Sequence, residues 1–334
     1  MPAPPTRALG CTGMQITTVG LGAWAIGGEG WEHAWGPQDD AESIATIRAA
    51  VAAGINWLDT APIYGLGHSE EVVGAALAGL PRDERPYVFT KCGLRWDPAN
   101  PMGPQQREAR WIRWEVEQSL RRLRLERLDL LQVHWPPLHG PTLEAYWQVM
   151  VDLKAAGTVR AIGLSNHDTG ELDAAEKIGH VESLQPPLSL LRREAADVIA
   201  WCVAHAAGVI VYSPMESGLL SGSFSAERVA ALPANDWRRT ARQYTGERLA
   251  RNLRLVDALR PVAARHGVTV AAVAVAWTLA WPGVTGAIVG ARRPAQIDDM
   301  VVAAGLTLST EDVDEIAAAL DTTGAGSGPS RLAS

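Results

Sequence analysis

Four side chains suited to proton and hydride chemistry stand in the first half of this chain. The segment LDTAPIYG holds Asp59 and, five residues on, Tyr64; FTKCG holds Lys91; LLQVHWP holds His134. A carboxylate, a phenol, an ammonium and an imidazole meeting at one point would suit reduction of a carbonyl. Hydride addition leaves negative charge on the carbonyl oxygen, so a proton donor and hydrogen-bond donors must converge there. A phenol with a pKa of about 10 is a poor acid–base catalyst at neutral pH unless a nearby cation favours its phenolate. Lys91 would supply that cation, Asp59 would hold it in place and ionised, and His134 Nε2 would fix the angle of the carbonyl oxygen. Singly, each has an ordinary reading: a strand-end Asp or Lys as a surface ion pair, the Tyr as packing, the His as a satisfied polar group. Their coincidence is the signal. Of 30 basic residues only Lys91, Lys154 and Lys177 are lysines. Genomic base composition explains most of that bias, but a lysine kept where arginine is the default suits a compact, tunable ammonium.

These four need elements that bring them together. Apolar residues at three- and four-residue spacing predict helices over 39–54, 68–79, 114–125 and 142–157. Gly54 and Gly157 stand where a helix C-terminus favours glycine. Strands are predicted over 17–22, 55–59, 87–91, 128–134, 161–165, 181–185, 208–213 and 286–290. Eight strands alternating with helical stretches predict an α/β fold, a (β/α)8 TIM barrel, with residues 1–334 as a single domain. Asp59, Lys91, His134, Ser165, Gln185 and Tyr212 all fall at strand C-terminal ends, the rim where barrel enzymes place their chemistry.

One motif points elsewhere. Gly20-Leu21-Gly22-Ala23-Trp24-Ala25 fits the G-x-G-x-x-A dinucleotide fingerprint, with Asp39 and Asp40 downstream. That fingerprint needs a helix to begin inside the glycine run. Here Ile26-Gly27-Gly28-Glu29-Gly30 follows, a poor start for a helix.

Composition sets the limits. Hydrophobic residues at 47% against 20% charged supply a large core and exclude a disordered chain. A net charge of −7 disfavours a nucleic-acid partner. No apolar run reaches the length of a membrane span, and MPAPPTRALG lacks the order of a secretory signal. Three scattered cysteines, Cys11, Cys92 and Cys202, fit a reducing cytoplasm better than a disulfide framework. Neither H-E-x-x-H nor G-x-S-x-G occurs, so no metal is expected.

Taken in order, LDTAPIYG, FTKCG, LDLLQVHWP, GLSN (163–166), QPP (185–187), YSPMESGLLSG (212–222) and GAIVGARRPAQ (286–296) resemble the blocks of the aldo-keto reductase superfamily, in its long, bacterial-type branch. The resemblance covers about residues 8 to 320 and leaves 322–334 as an expected flexible tail. It implies a nicotinamide cofactor, NADP(H) before NAD(H), lying across the rim without a Rossmann domain. Ser165, Asn166 and Gln185 would then bind the carboxamide and Tyr212 would stack on the ring. Ser213, Met215 and Leu219, with Gly218 and Gly222, would cover the pyrophosphate. Gly290 ends the strand before Arg292 and Arg293, which would meet the adenosine 2′-phosphate, with Gln296 near the adenine. Two positions depart from the pattern. Met300 stands where the family usually has an adenine-contacting Asn, and Leu188 where it often has Tyr, a change expected to alter the pocket lining.

Thirteen tryptophans against two phenylalanines is a marked bias. Any one Trp suits a core, but Trp24, Trp31 and Trp35 lie in a glycine-rich stretch, and Trp96 and Trp135 follow Lys91 and His134. Trp24, Trp31, Trp96 and Trp135 are therefore expected as pocket walls, since indole offers flat apolar area. The substrate expected is a small apolar or aromatic aldehyde or ketone, with a hydroxylated carbonyl second. Two other readings use the same residues: a cofactor-binding, redox-sensing subunit with little turnover, and a sugar or alcohol dehydrogenase working oxidatively.

Overall fold

The computed structural model describes residues 3–101, 106–233 and 236–332. Eight parallel strands close into a barrel: β1 (Val19–Gly22), β2 (Trp57–Asp59), β3 (Tyr87–Cys92), β4 (Leu128–Val133), β5 (Val159–Ser165), β6 (Ser183–Gln185), β7 (Gly208–Val211) and β8 (Gly286–Gly290). β8 pairs with β1 and completes the ring, Gly290 opposite Gly22. The fold is the expected (β/α)8 barrel.

Helices α1 (Asp40–Ala52), α2 (His68–Ala78), α3 (Ile112–Leu123), α4 (Leu143–Ala155), α5 (Thr169–Glu176) and α6 (Ala196–Ala204) separate the first seven strands. α1 starts where Asp39 accepts from the Glu42 N–H, an N-cap of the usual kind. Between β7 and β8 the chain takes a longer path through α7 (Ala226–Ala230), α8 (Gly246–His266) and α9 (Val270–Ala280). α10 (Ile297–Gly305) and α11 (Thr310–Thr323) follow. No single helix among the described residues is long and apolar enough to cross a membrane.

Alternation along the strands sets what fills the barrel. Side chains two apart share a face, so Trp57, Phe89, Leu130, Ala161, Ile210 and Ile288 form one buried cluster inside it. A short antiparallel hairpin, Thr6–Ala8 with Gln15–Thr17, closes the bottom and adds Leu9, Met14 and Ile16 to that cluster. Gly20 shows why the glycine run is not a nucleotide fingerprint: it lies in a strand, and a Cβ there would sit 2.2 Å from the Trp57 indole. The glycine makes room for the tryptophan that fills the barrel.

Beyond α11 the chain meets the loop that follows β6. A buried guanidinium needs acceptors, and Arg193 finds them in the carbonyls of Ala325, Gly328 and Pro329. The described part of 322–334 is thus packed against the loop after β6, with Ala325 buried; residues 333–334 lie outside the described residues.

Candidate active site

Two residues above the apolar barrel layer, on the same inward faces, the side chains turn polar. Asp59 follows Trp57, Lys91 follows Phe89, Gln132 and His134 follow Leu130, and Tyr212 follows Ile210. Lys91 Nζ donates to Asp59 Oδ1 at 2.6 Å and to the Thr60 carbonyl at 3.0 Å. Asp59 Oδ2 accepts from Gln185 Nε2 at 2.9 Å, and the same amide donates to Gln132 Oε1 at 2.8 Å. Burial pushes the Asp59 carboxyl up and the Lys91 ammonium down, while their mutual contact opposes both trends. The hydrogen-bonded geometry is that of an ion pair.

Tyr64 opens a short turn after β2. Gly65 lies against Gly27 so closely that a Cβ would sit 2.1 Å from the Gly27 carbonyl oxygen, which fixes the turn on the loop after β1. The Tyr64 ring lies 5.2 Å from Lys91 Nζ and meets His134 edge-on at 5.8 Å. Lys91 was expected to lower the phenol's pKa. Instead burial, and then the Asp59 charge, hold it well above 10. His134 is held well below 6.5, by burial first and then by Lys91 and Arg107, so its ring is neutral. Its Nδ1 is buried without a partner among the described residues. A bare acceptor there costs less than an orphaned N–H, which assigns the proton to Nε2.

The next three strand ends form one network. Asn166 takes a left-handed backbone (φ 62°), which asparagine tolerates better than most residues. Its Nδ2 donates to the His134 carbonyl at 2.9 Å and to Ser165 Oγ at 3.0 Å. Ser165 Oγ donates to the Gln185 carbonyl, and the Tyr212 hydroxyl to Asn166 Oδ1, each at 2.8 Å. Gln185 directs both amide hydrogens inward, leaving Oε1 without a partner among the described residues. Burial raises the Tyr212 phenol to about 12.

The loop after β7 turns through positive φ at Ser213, Glu216, Ser217 and Gly218, with Gly222 left-handed at its end. Met215 and Leu219 pack into the core beneath it. Across the rim, Gln296 Oε1 accepts the backbone N–H groups of Arg292 and Arg293 and squares off the turn after Gly290. Of the two departures, Met300 is buried on α10 and Leu188 just after β6, both in the main core.

Tryptophans surround the phenol. Trp24 stacks on Tyr64 at 6.2 Å and Trp31 lies at 6.1 Å. Trp96 and Trp135 join Tyr64, Ala61, Ile63 and Leu94 in a small apolar cluster. Sequence reasoning missed two members of the site. Gln132 bridges Gln185 to the rest of the barrel, and its place two residues before His134 was a usable signal. Trp237, stacked on Trp24 at 6.1 Å and 12°, comes from an irregular segment with no signal at all.

This constellation sits on a chain whose residues 18–321 match the model of the Aldo/keto reductase family. The chain belongs to the aldo/keto reductase family. Family members are nicotinamide-dependent oxidoreductases acting on carbonyls or alcohols, and this reductase is one of them. It is 36% identical over 314 residues to aldo-keto reductase YhdN of Bacillus subtilis (strain 168), covering 93% of this chain and 92% of that one. It is 34% identical over 331 residues to the NADH-specific methylglyoxal reductase of Escherichia coli (strain K12), covering 94% and 98%. Among solved structures, the glycerol dehydrogenase AKR11B4 from Gluconobacter oxydans superposes with a TM-score of 0.86 at 34% identity, over 100% of both chains.

Proposed function

We propose that this protein reduces a small apolar or aromatic aldehyde or ketone to the alcohol, with NADP(H) as hydride source and Tyr64 as proton donor. The observation that carries the reading is the Tyr64 ring set between Lys91 Nζ and the His134 edge, inside a wall of indoles. When bound, the nicotinamide supplies a hydride, two electrons and a proton's mass, to the carbonyl carbon. The chain's own groups handle the oxygen. His134 Nε2–H donates a hydrogen bond to it, and the neutral Tyr64 hydroxyl delivers the proton as charge develops. The open Oε1 of Gln185 fits the carboxamide of the cofactor, with Ser165 and Asn166 beside it and Tyr212 as the ring face. Ser213, Met215, Gly218 and Leu219 would cover the pyrophosphate.

For the cofactor's adenosine end, Arg292 and Arg293 offer two adjacent guanidinium groups on an acidic protein, which favours a 2′-phosphate. The E. coli relative named NADH-specific keeps NAD(H) as the second reading. The relative named a glycerol dehydrogenase supports oxidation of a hydroxylated substrate over the same residues. Three free cysteines fit a cytoplasmic setting. The test is a panel of aromatic aldehydes, methylglyoxal and glycerol, assayed in both directions with each cofactor. Aldehyde-dependent NADPH oxidation as the fastest reaction is expected. Turnover only with glycerol and an oxidised cofactor, or with NADH alone, would replace it with the corresponding second reading.

A further inference from the structure

The segment between Gly28 and Asp39 carries Trp31 and Trp35 into the site without a helix or strand to hold it. A cleft of about 250 Å³ lined by Gly27, Gly28, Glu29, Pro37, Gln38, Gly65 and His68 opens beside it, so packing secures that side poorly. What does tie it down is a residue 254 positions away. Arg292 Nε donates to Gln38 Oε1 at 2.6 Å, and Gln38 Nε2 returns a bond to the Arg292 carbonyl at 3.0 Å. Nη1 donates to the Trp35 carbonyl at 3.2 Å, and Nη2 donates to the Pro37 carbonyl.

We propose that Arg292 is a positioning residue for the substrate as well as a cofactor contact, clamping loop 31–38 so that its tryptophans hold the pocket wall around Tyr64. The route from clamp to chemistry is short. Trp35 meets Trp24 edge-on at 6.1 Å, Trp24 Nε1 donates to the His33 carbonyl at 3.2 Å, and Trp24 stacks on Tyr64. A guanidinium has five N–H groups, and three point at the loop. The two that remain, one on each Nη nitrogen, are left for a phosphate. Resting on the reading that a 2′-phosphate meets Arg292, the two events reinforce each other: a cofactor that fixes the guanidinium also fixes the loop, and by linkage substrate and phosphate favour one another.

The test measures the KM of one aromatic aldehyde with saturating NADPH and with saturating NADH, in wild type, Arg292→Ala, Arg292→Lys and Gln38→Ala. In wild type the KM with NADPH is expected about fivefold below that with NADH, within the usual range of coupling between sites. Arg292→Ala should raise the KM about tenfold with NADH and about fiftyfold with NADPH, bring the ratio to about one and move kcat less than about threefold. Lysine should not rescue it, because one ammonium cannot serve three divergent acceptors. Gln38→Ala loosens the loop end alone: KM for the aldehyde should rise at least about threefold while the Kd of NADPH stays within about twofold. An unchanged aldehyde KM in both Arg292→Ala and Gln38→Ala overturns the clamp. Equal wild-type affinity for the two cofactors would overturn the phosphate contact instead, and the Gln38→Ala KM with NADH then decides the clamp by itself.

Discussion

Lys91 Nζ lies 2.6 Å from Asp59 Oδ1, and both side chains are closed off from solvent. Removing one partner of a buried pair leaves the other charge stranded, typically at a cost of about 3–5 kcal/mol. Lys91→Met should therefore lose stability on that scale as well as nearly all turnover. Asp59→Asn combined with Lys91→Met should recover part of the stability, because the stranded carboxylate is gone. Lys91→Arg should not restore turnover, since a planar guanidinium cannot sit where the ammonium bridges Asp59 and the Thr60 carbonyl. Denaturant melts and steady-state rates of wild type, Asp59→Asn, Lys91→Met, the double variant and Lys91→Arg check this. Strict additivity, or full rescue by arginine, would contradict it.

The proposed proton donor and its neighbour titrate away from neutrality in opposite directions. In the proposed reduction Tyr64 acts while protonated, and burial holds its pKa above 10, so that form is lost only at higher pH. In the same proposal His134 acts while neutral, and burial holds its pKa below 6.5, so that form is lost only at lower pH. The kcat for reduction, measured under saturating cofactor and aldehyde, should be flat from pH 6.5 to 10 as far as these two groups set it. A fall centred below about pH 9 and traced to Tyr64 would show that Lys91 outweighs burial.

Glu115 on α3 is buried, holds the Gly93 N–H at 2.6 Å just past Lys91, and has its other oxygen unpartnered among the described residues. Burial raises its carboxyl from 4.5 to about 7. An acid raised in the folded state binds its proton more tightly there than when unfolded. Its contribution is therefore full below about pH 4.5 and is lost as pH rises towards about 7, a swing of ~3 kcal/mol. Glu115→Gln should flatten the stability–pH curve across that interval. Curves of equal slope for the two proteins would assign the pH dependence elsewhere.

Gly20 faces the Trp57 indole at a distance that leaves no space for a methyl group. Gly20→Ala should destabilise the barrel by about 1–3 kcal/mol or more, the usual range for overpacking. An unaltered urea midpoint would mean the indole can move aside, and would weaken the account of this glycine as barrel packing.

Much of this was readable in one dimension because it is periodic. The strands that place Asp59, Lys91 and His134 are short, largely apolar runs between helical stretches, so their ends follow from the sequence. α1 and α4 begin and end within two residues of the predicted bounds because Asp39, Thr142, Gly54 and Gly157 mark them. The bottom hairpin was missed because its strands are three residues each, too short for a period to show. Trp237 and the Arg292–Gln38 pairing were illegible for another reason. Both join irregular segments across about 210 to 250 residues, where only the closed barrel makes neighbours of them. The phenol's raised pKa was misjudged because charge neighbours can be guessed from sequence, whereas depth of burial cannot.

The role of Tyr64 is tested most directly by Tyr64→Phe. The substitution keeps the ring that Trp24, Trp31 and His134 pack against and removes only the hydroxyl. Single-turnover reduction of an aromatic aldehyde by the pre-formed NADPH complex isolates the chemical step from cofactor binding. The rate should fall by about a hundredfold or more, the usual scale for a general acid, with the Kd of NADPH within about twofold of wild type. A rate within a few-fold of wild type would remove Tyr64 as the proton donor.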